Sequence, residues 1–340
     1  MKKYICLLIY STIALCAFSQ VVKEVNARLF SIVSEKGDTI HFLKTDTSLI
    51  SKKATIIFCQ GSLPIPLIII DKDITFIPCL NNFNYRGLSE KYNIIVISMP
   101  HTPPVATKEQ LNNQYQYVPN VEQGAKFDSI YLRDNYKENY VARANCVIGF
   151  LKKQKCVDKN RIAIFGHSQG SYIAVELAKQ NPFVRGVGYS GGTPAGRFSL
   201  FIRQQRRSVI SKIITAEQGQ KNIEEYYRTW KSYCKGVDPK GDSADKAKTW
   251  TSFTLPLWDD LIRLKTPIFI PYGTEDLESS EGCELLPLYF ETAGKTNYLM
   301  KPYVGCGHNF EEISAEGISN FDKMHWDDVM NSFTKWLEGL

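Results

Sequence analysis

Residues 161–170 read Arg-Ile-Ala-Ile-Phe-Gly166-His167-Ser168-Gln169-Gly170, and residues 171–178 continue Ser-Tyr-Ile-Ala-Val-Glu-Leu-Ala. An apolar, β-branched run leads into Gly-His-Ser-Gln-Gly. An amphipathic stretch with helical spacing leaves it. The first half predicts a strand and the second a helix. A serine thrust into solvent between them must take a strained backbone conformation. Side chains two residues to either side would clash in so tight a turn, so glycines stand there. The N-terminus of the following helix directs partial positive charge to the place where acyl transfer develops negative charge. With 22 glycines in 340 residues, chance supplies roughly 0.1 such pentapeptide per chain. Placement between strand and helix is what makes the motif informative.

Outward from this stretch, the chain alternates. Residues 26–45 read as a hairpin about a Lys36-Gly37-Asp38 turn. Apolar runs at 54–59, 92–98, 161–165, 184–190, 267–270 and 298–304 mostly lack strict alternation, as strands covered on both faces do. Helical spacing marks 140–153, 169–180, 258–264 and 326–337. The fold class is therefore α/β, with right-handed βαβ units building a doubly wound, mostly parallel sheet. Two regions interrupt the rhythm. Residues 64–78 predict a small extra hairpin about Asp71-Lys72-Asp73. Residues 193–258 hold no good strand and predict a helical insertion, with helical spacing at 198–214 and 223–233 and a polar loop at 237–248.

With these strands and the elbow in hand, the chain resembles the α/β-hydrolase superfamily over roughly residues 50–340. The resemblance implies a Ser…Asp/Glu…His triad in that chain order and an oxyanion hole of two backbone N–H groups. Ser168 is the expected nucleophile. The Gly273-Thr-Glu-Asp276 turn after the strand at 268–270 matches the family's acid turn and nominates Asp276, with Glu275 and Glu278 as competitors. Of five histidines, His308 follows the strand ending near Val304 and is the expected base. His167 is adjacent to the nucleophile and turned elsewhere by the elbow; His41 reads as a surface hairpin residue, His101 as structural, and His325 as surface or capping. Family members often carry His-Gly after the strand preceding the first active-site loop; here Gln60-Gly61-Ser62 stands in its place. The expected oxyanion donors are the backbone N–H groups of Ser62, or in its stead Leu63, and of Gln169. The insertion is expected to cap the mouth. Its aromatics (Tyr226, Tyr227, Trp230, Tyr233, Trp250, Phe253 and Trp258) either wall a pocket or, the preferred reading, pack the cap. Its basic stretch, Arg197 to Lys212, reads as a cap helix with a solvated face rather than a lipid-binding one.

Composition narrows the rest. The chain is 44% hydrophobic and 22% charged, ordinary globular usage. Its formal charge of +6 is too dispersed to argue for nucleic acid. Lys2 and Lys3 precede an apolar run at 4–18, shorter than the ~20 residues a spanning helix needs. Ala17-Phe18-Ser19 follows as a small-residue cleavage pattern. Residues 1–19 are thus expected to be a secretory signal cleaved near Ser19/Gln20, leaving an exported chain, periplasmic or secreted, with no stable membrane insertion. Organised core is expected at 20–192 and 259–340, with the cap at 193–258. Of the seven cysteines left, Cys59 and Cys146 read as small core residues. Cys306 and His308 alone do not make a metal site, which needs three or four ligands. No metal and no cofactor are expected, and the substrate is expected to be a small acyl compound. The reading is an exported serine hydrolase acting on carboxylic esters, with a peptidase or amidase, or a non-catalytic binding protein on the same fold, as alternatives.

Overall fold

The computed structural model describes residues 18–122, 126–239 and 245–340; most of the expected signal, residues 1–17, lies outside them. The strands in chain order are β1 (Phe18–Val22), β2 (Ala27–Val33), β3 (Thr39–Thr45), β4 (Lys53–Cys59), β5 (Ile68–Asp71), β6 (Ile74–Phe76), β7 (Tyr92–Ile97), β8 (Val105–Thr107), β9 (Val157–His167), β10 (Val187–Ser190), β11 (Ile268–Gly273), β12 (Tyr298–Tyr303), β13 (Glu311–Ile313) and β14 (Ser319–Met324). The helices are α1 (Tyr85–Leu88), α2 (Ser129–Asp134), α3 (Lys137–Leu151), α4 (Gln169–Gln180), α5 (Phe198–Ile210), α6 (Ala216–Cys234), α7 (Ala247–Thr254), α8 (Trp258–Arg263), α9 (Ser280–Thr292) and α10 (Trp326–Glu338).

Nine strands form one sheet in the order β1-β2-β3-β7-β4-β9-β10-β11-β12. Pairings from β1 through β3 to β7 are antiparallel. Those from β7 through β4, β9, β10 and β11 to β12 are parallel. The central strands show why their sequences lack alternation. Along β4, Ile57 and Cys59 enter one core while Ala54, Ile56 and Phe58 enter the other. In β9, Ile162 and Ile164 face one side, Ala163 and Phe165 the other. Helices α3, α4 and α9 cover the first face; α10 covers the second with Trp326, Val329, Met330, Phe333 and Leu337. Each fully buried aliphatic or phenyl side chain contributes about 1.5–3 kcal/mol, which holds the sheet rigid beneath the loops at its rim.

The hairpin at 27–45 and the extra hairpin form as expected, with β5 and β6 paired antiparallel. A third strand, β8, adds to β5 in parallel and was not foreseen. The strand expected at 184–190 begins only at Val187. Helix α9 was also missed: its acidic start reads as a solvated loop and Pro287 sits inside it. Helices α5, α6 and α7 lie between β10 and β11. The first ends at Ile210 rather than 214, because Lys212 adopts a φ of 57° that closes the turn. Aromatic contacts join the three helices, including Phe198 with Trp230 at 5.1 Å, Phe201 with Tyr226 at 5.3 Å and Tyr233 with Trp250 at 6.0 Å between ring centres. Among the described residues seven cysteines are unpaired, and no helix is long and apolar enough to cross a membrane.

Candidate active site

Strand β9 ends at His167, and α4 begins at Gln169. Between them Ser168 takes φ 54° and ψ −126°, a conformation that costs a non-glycine residue of order 1–3 kcal/mol. Its hydroxyl makes no capping bond to the helix, and its N–H is donated to Ser190 O at 2.9 Å. The two flanking glycines are sterically required. A Cβ at Gly166 would lie 2.2 Å from Gly170 O, and one at Gly170 would lie 1.9 Å from Cys59 O. Packing within the elbow and against α4 therefore excludes a side chain at 166, and packing against β4 excludes one at 170.

The expected acid and base arrive from two neighbouring strands. β11 ends at Gly273, where a Cβ would stand 2.3 Å from the carbonyls of both Cys306 and Gly307. That approach lays the loop after β12 against the acid turn. Thr274 N–H is donated to Tyr303 O and Glu275 N–H to Cys306 O. His308 Nδ1 then lies 3.0 Å from Asp276 Oδ2. The competitors do not reach it in this way: Glu275 is exposed, and Glu278 stands exposed at the cleft. Asp276 is 2% exposed and accepts further hydrogen bonds from Ser279 Oγ and the Glu278 N–H. Burial alone would raise its pKa; the hydrogen bond and charge of His308, with those donors, bring it below the ordinary carboxylate value. For His308 burial works downward, and the hydrogen bond and charge of Asp276, aided by Glu278 and Glu311, raise it above 6.5.

Ser168 and His308 line one cleft of about 360 Å³, together with Ser62, Gln169, Tyr172, Thr193, Arg197, Leu200, Phe253 and Glu278. The structure thus lines one cleft with Ser168, His308 and both expected oxyanion residues, Ser62 and Gln169, and pairs His308 with Asp276. Gln169 opens α4, so its N–H has no partner within the helix. Leu63 is less suited as a donor, since its backbone hydrogen-bonds the Tyr131 hydroxyl. Gln60, standing where the family has His, donates from Nε2 to Ile97 O at 3.0 Å and pins this loop to β7.

The other histidines and most cap aromatics lie elsewhere. His167 packs under the site, its ring centre 5.0 Å from that of His308 and 4.8 Å from that of Trp326. Burial, then the charge of His308, lowers its pKa to about 3. A neutral neighbour does not oppose the imidazolium that catalysis would form on His308. His101 bonds Asp134 in a separate cavity. His41 bonds Ser31 Oγ at 2.7 Å, and His325 stands at the N-cap of α10. Of the cap aromatics only Phe253 lines the cleft; Tyr226, Trp230, Tyr233 and Trp250 pack against one another and Phe198 or Phe201. The basic stretch is not a free solvated face. Arg203 and Arg207 bind Glu281 of α9 and the carbonyls of Glu278 and Leu277, tying the cap to the segment that carries the acid.

Sequence reasoning missed Glu311. It is buried, accepts from the Asn309 N–H at 2.8 Å and from Ser319 Oγ at 3.2 Å, and its carbonyl takes the Gly307 N–H. It clamps the loop bearing His308. Among the described residues no three His, Cys, Asp or Glu side chains gather as metal ligands.

No family model matches the chain, and no curated protein matches it in sequence. Solved structures do match in three dimensions. Acetyl xylan esterase 1 from Thermoanaerobacterium sp. superposes with a TM-score of 0.50 at 14% identity, over 96% of this chain and 89% of that one. Est1E from Butyrivibrio proteoclasticus gives 0.51 at 12% identity, over 90% and 96%. A candidate dipeptidyl aminopeptidase IV from Bacteroides ovatus gives 0.52 at 12% identity, over 92% of this chain. The present chain spans only 35% of that peptidase's length. With five parallel pairings about β4 and β9, the elbow after β9, and these superpositions, the chain adopts the α/β-hydrolase fold.

Proposed function

We propose that the protein is an exported serine hydrolase that cleaves a carboxylic ester through an acyl-enzyme on Ser168. The observation that carries this reading is the 3.0 Å contact of His308 Nδ1 with buried Asp276 beside a strained, uncapped serine in the same cleft. In this scheme His308 takes the Ser168 proton as the hydroxyl attacks the acyl carbon. Asp276 fixes the imidazole tautomer and stabilises its charged form. The N–H groups of Ser62 and Gln169 receive the oxyanion, and removal of one such donor typically costs about 3 kcal/mol of transition-state stabilisation. The leaving alcohol takes the proton from His308, and water activated by the same ring then frees the acid. A cleft of about 360 Å³ is at the small end of ligand sites and suits a short acyl group. Export rests on Lys2, Lys3, the apolar run at 4–18 and the Ala17-Phe18-Ser19 pattern.

A second reading, a peptidase or amidase, is favoured by one observation: Glu278 puts a carboxylate at the cleft, where a substrate amine could pair with it. A fluorophosphonate probe should label the wild type and not Ser168→Ala, and turnover should fall on the order of 10⁵-fold in that variant. Wild-type protein that stays unlabelled and turns over no acyl substrate sinks the enzymatic reading in favour of a binding protein on this fold. Short p-nitrophenyl esters set against aminoacyl p-nitroanilides decide between ester and amide. Growth-medium, periplasmic and cell fractions, with N-terminal sequencing of the recovered chain, test export and cleavage near Gln20.

A further inference from the structure

The last rotation of an aspartate side chain is broad and roughly two-fold, so a carboxylate has no firm orientation of its own. What turns Asp276 toward His308 is its set of donors. Glu278 N–H donates to Oδ1 at 3.0 Å. The Ser279 hydroxyl donates to Oδ2, the same oxygen that lies 3.0 Å from His308 Nδ1. A carboxylate oxygen accepts in two directions, so one oxygen serves both donors. Ser279 has no exposed surface and Asp276 is 2% exposed, which shields the bond from water.

The place of Ser279 in the chain sets this bond apart. It is the N-cap of α9, and its carbonyl accepts the Cys283 N–H at 2.9 Å. A serine there ordinarily turns its hydroxyl onto the N–H groups of the first helical turn. Ser279 makes no such capping bond; its hydroxyl is committed to Asp276 instead. The backbone supports that direction, since the N–H groups of Ser279 and Ser280 both donate to Asp276 O, at 3.2 and 2.9 Å. Cys283, Leu286 and Phe290 seat α9 in the core, so the hydroxyl projects from a packed helix.

We propose that Ser279 is a positioning residue for the reaction at Ser168: from the fixed end of α9 its hydroxyl holds Oδ2 of Asp276 against His308 Nδ1. This role rests on the hydrolase reading of the cleft. Without the hydroxyl, the carboxylate keeps the Glu278 N–H at its other oxygen and is free to turn from the imidazole. The hydrogen bond and charge of Asp276 raise the pKa of His308 against burial, so a loosened contact lets it fall. The other titratable groups facing His308 are Glu278, Glu311 of β13 and His167 at the end of β9. Cys283 of α9 faces Asp276, its thiol kept protonated by burial and by the Asp276 charge. A substitution at 279 leaves all of these in place.

Nitrogen-15 NMR titration of His308 in wild type and Ser279→Ala tests the assignment, together with kcat and KM on a short p-nitrophenyl ester and labelling by a fluorophosphonate. The His308 pKa should fall in the variant, and kcat should fall about 10- to 100-fold with KM unchanged. Glycine is accepted at a helix N-cap, so Ser279→Gly carries the same measurements if the alanine variant does not fold. A His308 pKa that stays level or rises, or a loss confined to KM, overturns the proposal, while a labelled wild type leaves the hydrolase reading intact. A wild type that is not labelled overturns that reading and the role of Ser279 with it.

Discussion

Two helices beside the cleft are built in opposite ways. α4, which follows the nucleophile, has 12 residues, and all but Glu176, Lys179 and Gln180 are buried. α6, in the cap, has 19 residues and buries only Gly219 and Ile223. The first is positioned by apolar burial on the sheet. The second is positioned by aromatic contacts within the cap and, through α5, by ion pairs to α9. The proposed reacting groups all sit on the first kind of support. The cap supplies Leu200, Phe253 and, at the start of α5, Arg197 to the cleft wall. Under the proposed mechanism this contrast would place bond-breaking on the core and substrate selection on the cap.

Substitutions on the two sides should therefore fail differently. After Ser168 itself, the largest effect is expected at Asp276. Asp276→Asn leaves the ring of His308 in place but presents it with the wrong partner, so kcat should fall about 10³- to 10⁴-fold while KM barely moves. A variant retaining most of its turnover in steady-state assays would remove Asp276 from the core machinery. Next comes Gly170→Ala. Its Cβ would meet Cys59 O at 1.9 Å, so denaturant unfolding should show a loss of roughly 4 kcal/mol or more. A melt close to wild type would mean that the elbow is not rigidly held.

The pH dependence separates chemistry from stability. His308 must be neutral to accept a proton, and its folded pKa is raised above 6.5. Plotted against pH, kcat/KM should climb along a limb whose midpoint lies above 6.5. The stability contribution has the opposite sense: it is fully present below 6.5 and is lost as pH rises through the raised value. Asp276, depressed below 3.8, adds stability present above that value and lost as pH falls through its folded pKa. A limb midpoint below 6.5 would break the Asp276–His308 pairing as an active-state contact. The smallest effect belongs to the cap. Glu281 is half exposed where it meets Arg203 and Arg207, so Glu281→Gln should cost under about 1 kcal/mol in unfolding and change KM rather than kcat. A large fall in kcat from this change would erase the division between core and cap.

Legibility follows the same line. Ser168, Asp276 and His308 could be nominated because each lies in a short, local pattern: glycines two residues either side, a Gly-x-x-Asp turn, a histidine just past a strand. Gln60 could be found but not explained, since its role is a bond to Ile97 across strands. Glu311 was passed over because a carboxylate in a polar loop has no local signature until Asn309 N–H and Ser319 Oγ fold onto it. α9 was hidden by Pro287, and β8 by its length of three residues.

By itself the sequence determined the alternation of doubly covered strands with helices, and the elbow, because burial on both faces and a steric need for glycine are written in consecutive residues. Only the tertiary structure decided which cap side chains reach the cleft and what holds the loop bearing His308. Those depend on contacts between residues tens of positions apart, whose approach is set by how whole elements pack and not by their own neighbours in the chain.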